Sequence, residues 1–152
     1  MITAKLHTIF TNPIDATIKL MHDLCLQSMQ KKDFVSYVQS LFNKYKLNPL
    51  ILFRQIHSHC LHYFTYISDQ YDETLISPYL MPKIKKGDCD DFSLYIFTAL
   101  KIFGYKPEYI LFAREPGQFS HIAVICHGVI LDGTNNHFNQ FPKGFNYSRV
   151  IK

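Results

Sequence analysis

The sequence predicts a single α+β domain, with helices in its first half, a buried helix near its centre and a small antiparallel sheet behind it. Three observations point there. Apolar residues recur at steps of three and four between residues 14 and 64, a helix with marks at both ends starts at Cys89, and three short runs of strand type follow it. The 152 residues, 47% hydrophobic and 18% charged, are enough for one core that buries roughly two thirds of the unfolded chain's surface. They divide into a helical part over 1–65, a loop bordering a cleft over 66–86, a core over 87–135 and an irregular tail over 136–152.

Composition excludes several classes. No run reaches the roughly 18 apolar residues of a membrane span, so no membrane partner is expected. The N-terminal stretch has no apolar segment leading to a small-residue cleavage site, which leaves a cytoplasmic location as the expectation. Four cysteines without a Cys-x-x-Cys pair read as free thiols in a reducing compartment. A net charge of +4 is modest and the basic run is short, Lys83, Lys85 and Lys86, so nucleic acid is not an expected partner and these lysines are read as solvated.

The helical elements follow in order. Asn12 caps a helix with Pro13 at its first position, and Ile14, Ile18, Met21 and Cys25 line one face as far as about Gln30. A second helix begins near Asp33, with Val35, Val38, Phe42 and Tyr45 on its stripe. Asn48 and Pro49 open a third, whose stripe is Phe53, Ile56, Cys60 and Tyr63 or Phe64. Cys25 and Cys60 are therefore core residues. The third helix also carries His57, His59 and His62. At about 100° per residue they diverge around the helix, only His59 and His62 could converge, and the three are read as flanks of an amphipathic helix, with no metal site.

From Tyr66 to Met81 the helical period fails among Ser68, Asp69, Asp72, Ser77 and Pro78. A connection this long is a candidate cleft wall. Gly87-Asp-Cys-Asp-Asp91 then opens a helix that is apolar on nearly every side and ends at Gly104, hence a buried one. Asp88 is its cap. Cys89 falls at its N-terminal tip, where free N–H groups and the helix dipole favour a thiolate. The acidic neighbours oppose that, so a reactive Cys89 needs a further positive partner.

Strand-type runs follow at 109–113, 121–125 and 129–132. Cys126-His127-Gly128 is short enough for a hairpin turn, and a two-residue turn at 126/127 or 127/128 puts His121 and Asp132 on the same face; a three-residue turn separates them. Asp132 could then fix the tautomer of His121, giving nucleophile, base and orienting carboxylate in the order Cys89, His121, Asp132. His127 and His137 are read as turn and loop residues, and Cys126 as an inert strand residue. The tail, with Phe138, Phe141, Phe145 and Tyr147 among Asn, Pro and Gly, could add a strand, cover the sheet edge or meet a partner.

Gly87-Asp-Cys-Asp-Asp91 before a long apolar helix, then Phe119-Ser-His-Ile-Ala-Val124 and Leu131-Asp-Gly-Thr134, resembles the transglutaminase-like cysteine peptidase superfamily, most closely its small bacterial and bacteriophage members. Phe64-Thr-Tyr66, Asp69, Glu73 and Ser77-Pro78 are similar to the stretch that precedes the cysteine in that superfamily. The resemblance covers about residues 50 to 135. It implies a papain-like, transglutaminase-like core with the nucleophile helix packed on an antiparallel sheet, and no cofactor. Cys89 is then the nucleophile, His121 the base and later the acid, and Asp132 the orienting group, with Asp88 and Tyr66 as candidate substrate-binding residues. The implied activity is that of a cysteine peptidase or amidase working through a thioester on a peptide or protein amide. A virion structural or assembly role, with virion partners, is the alternative that the resemblance carries. Transglutaminases proper use a tryptophan near the oxyanion, and this chain has none. That departure favours hydrolysis and makes Tyr66 a candidate for the second oxyanion donor.

Overall fold

The computed structural model describes residues 3–6, 14–68 and 73–151. The first helix, α1 (Ile14–Met29), buries Ile18, Met21, Leu24 and Cys25 on the expected face; its cap at Asn12 and Pro13 lies outside the described residues. In α2 (Lys32–Phe42) the buried stripe is Phe34, Val38 and Phe42. Val35 is only half-buried, because the row that meets the core steps by four from Phe34 through Val38 to Phe42. The third helix, α3 (Pro49–Tyr63), starts as its sequence dictates, with Pro at the first turn and the Asn48 side chain accepting from the N–H of Ile51. It buries Leu52, Phe53, Ile56 and Cys60 completely, whereas Tyr63 is exposed and Phe64 completes the stripe.

The histidines of α3 differ from the expected helix flanks. His57 and His59 are buried and His62 is exposed, so His59 and His62 do not converge. His59 sits among the rings of Phe42, Tyr63, Phe64 and Tyr95, and burial pushes its pKa down to about 4. It is a neutral core residue. Among the described residues no group of three or more His, Cys, Asp or Glu is arranged to hold a metal ion, and no helix is long and apolar enough to cross a membrane.

The segment expected as a loop contains short elements. Strand β1 (Thr3–Leu6) pairs antiparallel with β3 (Glu73–Ile76), and β2 (Thr65–Tyr66) pairs in parallel with β4 (Lys86–Gly87). A 3-10 turn at Pro78–Leu80 leads into α4 (Met81–Ile84). These pairings are two and four residues long and join segments far apart in sequence, so no local period announces them.

The central helix α5 (Cys89–Ile102) is buried along Asp90 to Leu100 and packs against α1, α2, α3 and the sheet. Each fully buried Leu, Ile or Phe on it contributes about 1.5–3 kcal/mol relative to exposure, so this helix anchors the fold. The main sheet runs in the order β7-β6-β5-β8, with β5 (Glu108–Ala113), β6 (Phe119–Cys126), β7 (Val129–Leu131) and β8 (Tyr147–Ile151). All its pairings are antiparallel. One face, with Tyr109, Leu111, Ile122, Val124 and Cys126, joins the helical core; the other, with Ile110, Phe112 and Ala123, packs under Phe145 of the tail. Of the three outcomes open for the tail, it adds a strand, β8, at the free edge of β5 and covers the second face with Phe145. The four-stranded antiparallel sheet with helices on one side is the expected α+β architecture.

Candidate active site

Cys89 is placed by the start of α5. Asp88 caps it, accepting from the N–H groups of Asp90 and Asp91 through Oδ1, while Asp91 Oδ2 accepts from the N–H of Asp88 at 3.0 Å. This is a reciprocal capping box, built by two aspartates. Asp91 Oδ1 also accepts from the N–H of Ile76, tying β3 to the helix start. Gly87 is required here, because a Cβ on it would lie 2.6 Å from Asp91 Oδ2. Burial, then the charge of Asp88, raises the Asp91 carboxyl above its usual range, and the N–H bonds from Asp88 and Ile76 act in the opposite direction.

The cysteine is partly exposed while Cys25, Cys60 and Cys126 are buried. Burial, followed by Asp90 and Asp88, pushes its thiol well above the ordinary value, and an N–H bond from Ile122 acts in the opposite direction. Ile122 follows His121 on β6. It also accepts at its carbonyl from the hydroxyl of Ser93, one turn further along α5, at 3.1 Å. The last β6–β7 pair is Val124↔Leu131, so Ile122 lies where β7 no longer covers the edge of β6, and the tip of α5 occupies that place. Strand and helix are thus tied through Ser93, with His121 next to the tie.

The hairpin supplies the rest. His127 and Gly128 both have positive φ, 49° and 74°, as a two-residue type I′ turn requires. Cys126 pairs with Val129, which is the 127/128 turn, and His121 and Asp132 share a face. His121 Nε2 is 2.6 Å from Asp132 Oδ2. The other carboxylate oxygen, Oδ1, accepts from the Thr134 N–H at 3.0 Å and its hydroxyl at 2.8 Å. Burial alone would raise the Asp132 carboxyl, but the bonds from His121 and Thr134 outweigh it and hold the group below its usual range. An ionised Asp132 fixes the proton of His121 on Nε2 and leaves Nδ1 free of it. The ring of His121 stacks against Phe112 and Phe145, which also touch each other, and the Arg114 guanidinium lies over the ring of Phe145.

Tyr66 is brought to this place by the β2–β4 bridge, which pairs it with Gly87. Its phenol is half exposed, edge-on to Phe92, and its pKa is raised by burial and by the nearby Cys89 and Asp88. Asp88 is buried, with Oδ1 engaged in the cap. Asp69 lies outside the described residues. A cavity of about 410 Å³ opens beside His121 and Asp132, with Asn135, Asn136, Lys143 and Phe145 among its walls.

Sequence reasoning missed two residues that shape this region. His57 points Nε2 at the carbonyls of Asp132 (3.0 Å) and Asn135 (2.8 Å). Phe145, in a tail without a period, covers His121. The only early signal for His57 was a polar residue next to the apolar stripe of α3, which many helices show.

No protein-family model matches the sequence, and no curated protein matches it. Solved structures do resemble the fold. Calcium-bound LapG from Legionella pneumophila is 19% identical, covering 87% of this chain and 83% of its own, with a TM-score of 0.58. Another structure of Legionella pneumophila LapG gives 16% identity over 78% and 75%, with a TM-score of 0.54. A candidate protease from Parabacteroides distasonis matches 89% of this chain at 11% identity and a TM-score of 0.61; the match spans 29% of that longer chain. The chain has the transglutaminase-like fold of these neighbours, which is the core that its motifs imply.

Proposed function

We propose that the chain is a thiol-dependent acyl-transfer enzyme, a cysteine peptidase or amidase, in which Cys89 is the nucleophile, His121 the acid and base, and Asp132 the orienting carboxylate. The observation that carries this reading is the 2.6 Å bond from His121 Nε2 to Asp132, with His121 next to Ile122, whose carbonyl ties the strand to the Cys89 helix through Ser93. Likeness in fold to a candidate protease supports the same direction.

Each step follows from the placements above. Burial and Asp90 keep the resting thiol protonated, so the reaction starts with transfer of the thiol proton to His121 Nδ1 as the sulfur attacks the amide carbonyl. Asp132 stabilises the imidazolium that forms. The oxyanion meets the N–H of Cys89; those of Asp90, Asp91 and Phe92 are already taken by Asp88. Tyr66, held beside Gly87, is the second donor in this reading. His121 then protonates the departing amine, the C–N bond breaks and a thioester remains on Cys89. Water, deprotonated by His121, releases the acid and returns the thiol. The cavity beside His121 receives the part of the peptide on one side of the scissile bond.

The test is a peptide library incubated with wild type and Cys89→Ala, with and without added primary amine, and read by mass spectrometry. Hydrolysis products that vanish in Cys89→Ala are expected. Amine-coupled product in excess of hydrolysis would make the protein a transglutaminase. No turnover in either condition would favour the scaffold role.

A further inference from the structure

The mechanism above has no use for His57, although it is a buried polar side chain, at 2% exposure. Its Nε2 faces two carbonyl oxygens, of Asp132 and Asn135, which only accept. Nε2 must therefore carry the proton and donate to both. The Asp132 carbonyl also accepts from the N–H of Asn135 at 3.0 Å, closing a tight turn over 132–135. Between these residues is Gly133, where a Cβ would stand 2.8 Å from Cys60 Sγ and 2.8 Å from Phe92 Cβ. His57 and Cys60 are one turn apart on α3. The helix thus grips the turn by a polar contact and a steric one, and α5, which carries Cys89, backs it through Phe92.

Asp132 is held in this way at both ends of the residue: Thr134 fixes its side chain and His57 its backbone. We infer that His57 is a positioning residue, which through the backbone of the 132–135 turn sets the Asp132 carboxylate against His121. The inference rests on the proposed role of Cys89, His121 and Asp132 and adds a fourth member from the helical half of the molecule. A hydrogen bond of 2.6 Å leaves little room for displacement of its acceptor, and a misplacement of about 1 Å at a reacting centre costs on the order of 10²-fold in rate.

Three measurements test it. In wild-type protein, nitrogen-15 NMR should find His57 neutral with its proton on Nε2; a proton on Nδ1 would overturn the inference without any variant. The second is the rate of Cys89 modification by iodoacetamide at neutral pH, per folded molecule. His57→Leu should slow it by about tenfold or more, and His57→Gln, whose amide nitrogen reaches the Nε2 position, should stay within about threefold of wild type. The third is the downfield proton resonance of the His121–Asp132 bond, expected in wild type and His57→Gln and lost in His57→Leu. A His57→Leu protein that melts earlier yet keeps both the labelling rate and the resonance would reduce His57 to a structural cap and overturn the inference. If His57→Leu does not fold, the tautomer and His57→Gln still decide. An unlabelled Cys89 in wild type would sink the proposed function instead, while the tautomer and the resonance would still report on His57.

Discussion

Cys60 and Cys89 approach the Asp132 turn from different helices, and both feel the charge of Asp132. Cys60 is in the last turn of α3, fully buried, with its sulfur against Gly133. Burial, then Asp132, raises its thiol far beyond the physiological range. Cys89 stands at the capped tip of α5, partly exposed, with an N–H bond from Ile122. Two thiols of the same chemistry thus meet different surroundings by their position along a helix: beyond the first turn the N–H groups are used inside the helix, and in the first turn they are not, which is the difference the proposed function draws on.

The largest expected effect breaks this comparison directly. Cys89→Ala should abolish both turnover and fast labelling, whereas Cys60→Ala should keep the chemistry and cost about 1 kcal/mol of stability, as removal of one buried heavy atom does; chemical denaturation and the peptide assay separate the two. Next is Asp132→Asn. Thr134 donates twice to Oδ1, so the amide oxygen of the variant is drawn there and its NH₂ turns toward His121. That forces the proton of His121 onto Nδ1, where it blocks proton transfer from Cys89, and turnover should fall by on the order of 10³ to 10⁴ with the fold intact.

Gly133→Ala comes third. Its methyl would meet Cys60 Sγ and Phe92 Cβ at 2.8 Å, and overpacking of this kind costs about 1–3 kcal/mol. Adding Cys60→Ala should recover part of the loss, because it removes one of the two clashing atoms; independent, additive effects would show that α3 does not grip the turn. The smallest effect is in the pH dependence of labelling. Burial is the first cause of the raised Cys89 thiol and Asp90 the second, so Asp90→Asn should lower its pKa. A lower pKa means more thiolate at a given pH. The labelling profile should therefore move to lower pH, with a gain of a few-fold near neutrality; a shift to higher pH would show that Asp90 supports the thiolate.

The parts of the site that were legible in the sequence are those encoded locally. The cap, the acidic first turn and Gly104, which has a φ of 87°, mark α5, and a Gly in a two-residue turn sets the register that puts His121 beside Asp132. Apolar period assigned Cys25 and Cys60 to the core. What stayed hidden depends on contacts distant in sequence. His57 meets Asp132 across 75 positions, and the helical period gives the face of a residue but not its partner. Strands β1, β2, β3 and β4 are too short to show alternation, and β8 is exposed along most of its length, so it shows no apolar period either. Phe34, in place of the expected Val35, meets Tyr95 of α5 edge-on, a tertiary contact that the helical period does not give.

The most direct test of the central claim is competitive labelling of the folded wild-type protein with iodoacetamide at pH 7, with peptide mapping of all four cysteines and a parallel run on His121→Ala. Modification concentrated at Cys89, and strongly slowed in His121→Ala, is the result expected of a nucleophile activated by its strand neighbour. Labelling of Cys89 no faster than that of Cys25, Cys60 and Cys126, or unchanged by His121→Ala, would contradict it.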